Sequence, residues 1–188
     1  MNEEIPEDKM RTAQEIASRA LIVSVVTAVA YGDPRDEVSQ WLQTEGLWAD
    51  VSPTERAFLE TSAPEEKAII FFSWGVERLV PLLWSIQKLP ELQPLTCKCD
   101  TTAVQGAIVW PPASTGDFIR CAQMRPVAQI AEEYEKVYHS HWRVRDAQIN
   151  GRPIPEELNA GVVYERHYAF NWIIGYFGQA WDDISTDT

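Results

Sequence analysis

The sequence is short of cysteine, short of positive charge and without a glycine-rich phosphate loop, and each shortage removes a class of function. Three cysteines in 188 residues are an odd number and no disulfide framework. Thiols in that state suit a reducing cytoplasm, the expected location. Sixteen Lys and Arg stand against 28 Asp and Glu, a formal net charge of −12. So acidic a surface repels nucleic-acid phosphates and anionic lipid, and no basic stripe offsets it. Neither nucleic acid nor membrane is expected as a partner; a basic protein is. No Walker pattern, dinucleotide fingerprint or nucleophile elbow occurs. The one long apolar run, ALIVSVVTAVAY at 20–31, is a dozen residues after Arg19. It is shorter than a bilayer requires and reads as a buried helix. The acidic start MNEEIPEDKMR is unlike the basic start of a secretory leader.

What remains is apolar, aromatic and helical. Apolar residues make up 45% and eight are Trp, enough for a globular core in one domain spanning 1–188. A helix is expected from about Thr12 to Tyr31, closed by Gly32. A second follows Asp33-Pro34, carries Val38, Trp41 and Leu42 at helical spacing, and ends at Gly46. SPTERAFL (52–59) has Ser52 as N-cap, Pro53 at the first position and Glu55 closing a capping box. SAPEEK (62–67) offers a second Ser-x-x-Glu start. It leads into an apolar helix over 68–87 that Pro81 should kink or break. Residues 89–117 hold Pro90, Pro94, Pro111, Pro112, Gly106 and Gly116, and read as a long connection with one short helix near 101–108, not a domain boundary. Pro126 opens a helix to 149, ended by Asn150-Gly151, and the helix containing VVYERHYAFNW (162–172) follows. The expectation is an all-α, single-domain bundle of about six to eight helices with a long Pro/Gly-rich loop, its last two long helices antiparallel.

Four side chains are candidates for acid–base chemistry. On the 126–149 helix the stripe Ile130, Tyr134, Val137, Tyr138, His141 and Val144 places His141 on the buried face. His139 falls opposite, so the pair cannot share a metal. In VVYERHYAFNW the charges Glu165, Arg166 and His167 leave no clean polar face. At least one is buried and must be paired; Arg145 and Asp146 are the expected partners. Glu165 and His167 facing a cleft would form a general acid/base pair. Glu77 lies one turn after Trp74 and against the same face as Trp84, where desolvation would raise its pKa. The alternative is an ion pair with Arg19 or Arg166. CKCD (97–100) with Cys121, and the three Asp of the tail, are weak metal patterns. No metal and no cofactor is expected. In the tail, Trp181 should dock on the core and an Asp should cap a chain end or meet an Arg.

Six segments, RALIVSVV (19–26), TEGLWADVSPTERAFL (44–59), FSWGVERLVPLLWSI (72–86), HWRVRDAQING (141–151), VVYERHYAFNWIIGY (162–176) and WDDISTDT (181–188), together resemble the bacterial domain-of-unknown-function family 4272. The likeness covers nearly the whole chain in order, and is weakest over 97–117. It implies that Glu77, His141, Arg145, Glu165, Arg166, His167, Asn171, Asp182, Asp183 and Asp187 belong to the family pattern. Arg145, Arg166, Asn171, Trp181, Asp182 and Asp183 are then the binding candidates. The resemblance carries no reaction, cofactor or catalytic residue with it.

Three functions are weighed. The first is an acidic binding module without chemistry of its own, as in immunity proteins that plug a toxin's active site. It calls for exposed aromatic anchors and a salt-sensitive partner. The second is a hydrolase- or lyase-type enzyme using His141 or His167 with Glu165 or Glu77. It requires a pocket where these converge, and fails if they are sealed inside. The third is a homodimer through an apolar flank of 162–172.

Overall fold

The computed structural model describes residues 9–188; the first eight, most of the acidic start, lie outside the described residues. The chain is all-α, as expected. The helices are α1 (Ala13–Ala30), α2 (Arg35–Thr44), α3 (Pro53–Glu60), α4 (Glu66–Ser73), α5 (Gly75–Ser85), α6 (Thr101–Gly106), α7 (Gly116–Arg120), α8 (Val127–Ile149) and α9 (Ala160–Ile174). Seven have eight residues or more, and α6 and α7 are short.

Local chemistry explains most boundaries. Thr12 and Glu15 form a reciprocal capping box on α1, and Ser52 and Glu55 form one on α3, with Pro53 at its first position. Two expected boundaries move. Ser62 starts no helix: α4 begins at Glu66, and Glu65 makes no side-chain cap. Pro64 is the reason, because it drives Ala63 out of the helical region. The apolar stretch 68–87 does break, but at Trp74 and not at Pro81, which lies inside α5. There the Glu77 N–H bonds the Trp74 carbonyl, one residue short of an α-turn. The physical cause is Gly75, where a Cβ would collide with the Thr27 hydroxyl. Only glycine lets α5 lie this close to α1, and glycine is also the weakest helix former short of proline.

Around that contact α1 packs chiefly on α5, α5 on α9, and α9 on α8. Trp74 lies against Gly161, and Trp84 meets Phe170 edge-on, so α5 and α9 run the same way. Tyr134 and Tyr138 reach His167, while His141 reaches Tyr164, so α8 and α9 are antiparallel, as expected. Residues 89–117 join this core through the buried Leu89, Val104 and Ile108. α1 and the α4–α5 segment Glu66–Ser85, at 18 and 20 residues, are each long and apolar enough to cross a membrane. α1 is longer than its apolar run because Ala13–Arg19 extend it. Both are mostly packed inside the bundle, as core helices are.

The C-terminus of α9 depends on Gly175, left-handed at φ +79°. A Cβ there would also strike the backbone of Lys9. Gly175→Ala is therefore expected to cost more than about 1 kcal/mol, read as a lower denaturant midpoint with an unchanged m-value.

Candidate functional site

Of the three charges of α9, Glu165 and Arg166 do not meet α8. They meet α5, through the same dipeptide written twice. Glu77-Arg78 on α5 faces Glu165-Arg166 on α9, and the pairs form crosswise. Arg166 Nη2 lies 3.0 Å from Glu77 Oε2, and Arg78 Nε lies 2.5 Å from Glu165 Oε2. Glu77 and Arg166 are 0% and 1% exposed. Both members of that pair make further bonds. Glu77 Oε1 accepts from the Cys99 N–H at 2.7 Å, and Arg166 Nη1 donates to the carbonyls of Gln93 and Pro94. The expected partners Arg145 and Asp146 are elsewhere: Arg145 bonds Gln148, and Asp146 pairs with Arg152. Of the two Arg partners considered for Glu77, Arg166 is the one; Arg19 pairs instead with Glu55 at 3.0 Å.

Aromatic rings link these pairs to the tail. The Arg78 guanidinium lies over Phe71 and Tyr168, 4.6 and 4.5 Å from the ring centres. The Tyr168 hydroxyl donates to the Trp181 carbonyl. The Trp181 ring meets Tyr168 and Trp172 edge-on, and Arg19 lies over it at 5.0 Å. Burial raises the Glu165 pKa, opposed by Arg78, and raises that of the Tyr168 hydroxyl. The Cys99 thiol is pushed up to about 12 by burial and then by Glu77, so it is inert as a nucleophile.

His167 turns the other way, to α8. Its Nδ1 lies 2.8 Å from His141 Nδ1. One proton sits between them, so in the neutral pair one ring carries its hydrogen on Nδ1 and the other on Nε2. Burial first, and then the His141 charge, lower the His167 pKa to about 4. Burial and Arg145 lower that of His141. The walls are tyrosines, Tyr134, Tyr138 and Tyr164. His167 Nε2 and Asn171 Oδ1 are both buried without a hydrogen bond of normal geometry, and Asn171, one turn on, favours the protonated ring. Asn171 Nδ2 donates to the Ser185 carbonyl at 2.7 Å. His139 is exposed beside Glu135 on the opposite face. Residues 162–173 are buried within the chain except Tyr164, so the apolar flank imagined for a second subunit is already covered.

The tail is pinned at Trp181, 6% exposed. Asp182 Oδ2 accepts from the Thr54 N–H at 2.8 Å, in the first turn of α3, where a carboxylate also meets the helix dipole. Asp183 is exposed. Asp182→Ala is expected to cost about 1 kcal/mol, as a lost helix cap does, and to lower the melting temperature by about 2–4 °C. Asp183→Ala serves as the silent control.

Among the surface grooves, two are of ligand size. One, about 770 Å³, lies between α1, α2, α5 and α6 and includes Tyr31, Asp33, Glu37 and Trp110. The other, about 660 Å³, is lined by Arg19, Asp50, Trp172, Trp181, Asp182 and Asp183 among others. None of Glu77, His141, Glu165 and His167 lines either. Among the described residues no three or more His, Cys, Asp or Glu form a group that could hold a metal ion.

Sequence reasoning missed Arg78 and the Arg19–Glu55 pair, having read Glu55 only as a cap. The signal was present: a Glu-Arg dipeptide in each of two apolar helices.

No curated protein and no solved structure matches the chain. A family model for a domain of unknown function, DUF4272, matches residues 2–184, and the chain belongs to that family.

Proposed function

We propose that the protein is a binding module without chemistry of its own, recognising a basic segment of a partner protein. The observation that carries this is where the acid–base side chains sit. Glu77, His141, Glu165 and His167 are at most 7% exposed, are bonded to one another or to arginine, and touch neither groove. What the surface offers instead is concave, aromatic and acidic. A protein partner suits the −12 charge, which would repel phosphate polymers. An immunity protein plugging a toxin's basic active site would be one such module. The free thiols of Cys97, Cys99 and Cys121 suit the cytoplasm as its place of action.

The 2.8 Å contact between His141 and His167 favours the second reading, an acid–base hydrolase or lyase. That reading needs an opening to the pair, which neither groove provides.

Native mass spectrometry of the protein captured gently from its own cells tests the proposal. The expected result is a stoichiometric polypeptide adduct that is released as ionic strength rises past about 0.15 M, where the screening length is about 8 Å. A small-molecule adduct with no polypeptide, or a bare protein at every salt concentration, would overturn it.

A further inference from the structure

The two grooves differ in what their charges are doing. In the smaller one Glu15 closes the α1 capping box and Asp182 caps α3, while Asp50 and Asp183 make no side-chain hydrogen bond or ion pair among the described residues. A cation, Arg19, is already in its wall. In the larger groove the formal charges are Asp33 and Glu37 alone, and no Arg, Lys or His lines it. Neither carboxylate makes a side-chain hydrogen bond or ion pair among the described residues. Both are exposed, at the start of α2.

The rings differ in the same way. Several aromatic faces elsewhere are covered by the chain's own cations, among them Arg19 on Trp181, Arg78 on Tyr168 and Lys98 on Trp74. Tyr31 and Trp110 carry no such cation and no ring partner among the described residues. Each is nonetheless held at its polar end. The Tyr31 hydroxyl donates to the Ser73 carbonyl at 3.2 Å, and Trp110 Nε1 to the Gln105 carbonyl at 3.0 Å. Their positions are set before anything binds, which lowers the entropic cost of binding. The floor is apolar, with Leu79 and Val104 at 2% and 1% exposure. The exposed hydroxyls of Thr101 and Thr102 stand on the α6 side. The volume, about 770 Å³, falls among ligand sites, roughly 300–1,000 Å³.

We infer that this groove is the docking site for a basic segment of a partner protein, one of whose Lys or Arg side chains enters it. The stem lies along the Tyr31 and Trp110 rings and the apolar floor, the charge meets Asp33 and Glu37, and the threonine hydroxyls face the partner's backbone. An anion finds no counter-charge here. A cation finds the two things the chain supplies to its own arginines, a ring and a carboxylate. The assignment deepens the binding-module reading and rests on it.

The test is an NMR titration of the full chain with a capped hexapeptide of alternating glycine and arginine, with the glycine–glutamate counterpart and arginine amide as comparators. Shifts are expected at the Trp110 indole N–H and the Glu37 amide with the arginine peptide and not with the glutamate one. Glu37→Lys and, separately, Asp33→Asn should weaken binding about tenfold, as loss of a central contact does. Asp183→Lys in the other groove should leave it within about twofold. The three positions are exposed, and a melting curve for each variant confirms that it is folded. Equal weakening by Asp183→Lys would mean general attraction to an acidic surface and would overturn the site. So would unshifted Trp110 signals. Arginine amide binding as tightly as the peptide would also overturn it, making this a pocket for a small cation. The failures are separable: a polypeptide adduct that survives Glu37→Lys sinks this groove and keeps the module, whereas no adduct at all sinks the module.

Discussion

Glu77→Ala should lower stability by about 3–5 kcal/mol, as removing one partner of a buried ion pair does, and lower the melting temperature by about 2–4 °C for each kcal/mol in a chain of this size. The Arg166 guanidinium is 1% exposed and, among the described residues, has Glu77 as its only carboxylate. Without Glu77 it stays charged, because arginine does not lose its proton in proteins. The Cys99 N–H loses its acceptor as well. A second variant separates charge burial from packing. Replacing both partners, Glu77→Leu with Arg166→Met, removes the stranded charge and should recover part of the loss. Recovery is incomplete because the Cys99 N–H and the Gln93 carbonyl lose their partners. Glu165→Ala follows the same logic through Arg78, whose Nη2 is already buried without a partner, and should cost about 2–4 kcal/mol. Urea unfolding at pH 7.5 measures all three. A loss below about 1 kcal/mol for Glu77→Ala would place the pair in water, against its burial here.

Acid should unfold the protein through the histidine pair, before the bulk of the carboxylates titrate. His167 is lowered from 6.5 to about 4 in the fold. Between those values the unfolded chain binds the proton and the folded chain does not, so stability falls as pH falls. Above about pH 7 both states are neutral and the effect vanishes. Each tenfold change in proton affinity is about 1.4 kcal/mol, so moving from pH 7.5 to 4.5 should remove about 2–3 kcal/mol through His167. His141 is lowered too and acts in the same sense. Glu165 acts against them: its raised pKa lets the folded carboxyl take up a proton before the unfolded one does. The surface carboxylates held low by their hydrogen bonds, the partly exposed Glu45 and the exposed Glu157, weaken the fold only at still lower pH. Urea midpoints at half-unit pH steps would trace the slope, and His167→Gln should flatten it between 6.5 and 4.5. A wild-type curve flat from pH 7.5 to 5 would mean that the imidazoles are not sealed between α8 and α9.

The helix ends were legible because they are decided within a few residues. The boxes Thr12 with Glu15 and Ser52 with Glu55, and the stop at Asn150-Gly151, need no tertiary partner to be read. Burial of His141 was legible from helical spacing, and burial of at least one α9 charge from the absence of a polar face. Ser62 misled because the proline two residues on overrides a cap pattern. Pro81 misled because the position of the break answers to Gly75 lying on Thr27, a contact 48 residues apart in the chain.

By itself, then, the sequence determined that this is an all-helical chain, where most helices begin and end, and that its longest apolar helices must bury polar groups. Capping, proline geometry and periodicity are local, and act on the chain before it folds. Only the tertiary structure decided which charge meets which. A Glu-Arg dipeptide looks alike on any apolar helix; α5 and α9 make theirs pair crosswise because they pack side by side at Glu77 and Arg166. Among the described residues, the packing of α1, α2, α5 and α6 leaves the Asp33 and Glu37 carboxylates unpaired and the Tyr31 and Trp110 rings without a cation or ring partner around one groove. That opening arises where four helices meet, and four separate stretches of sequence cannot show it.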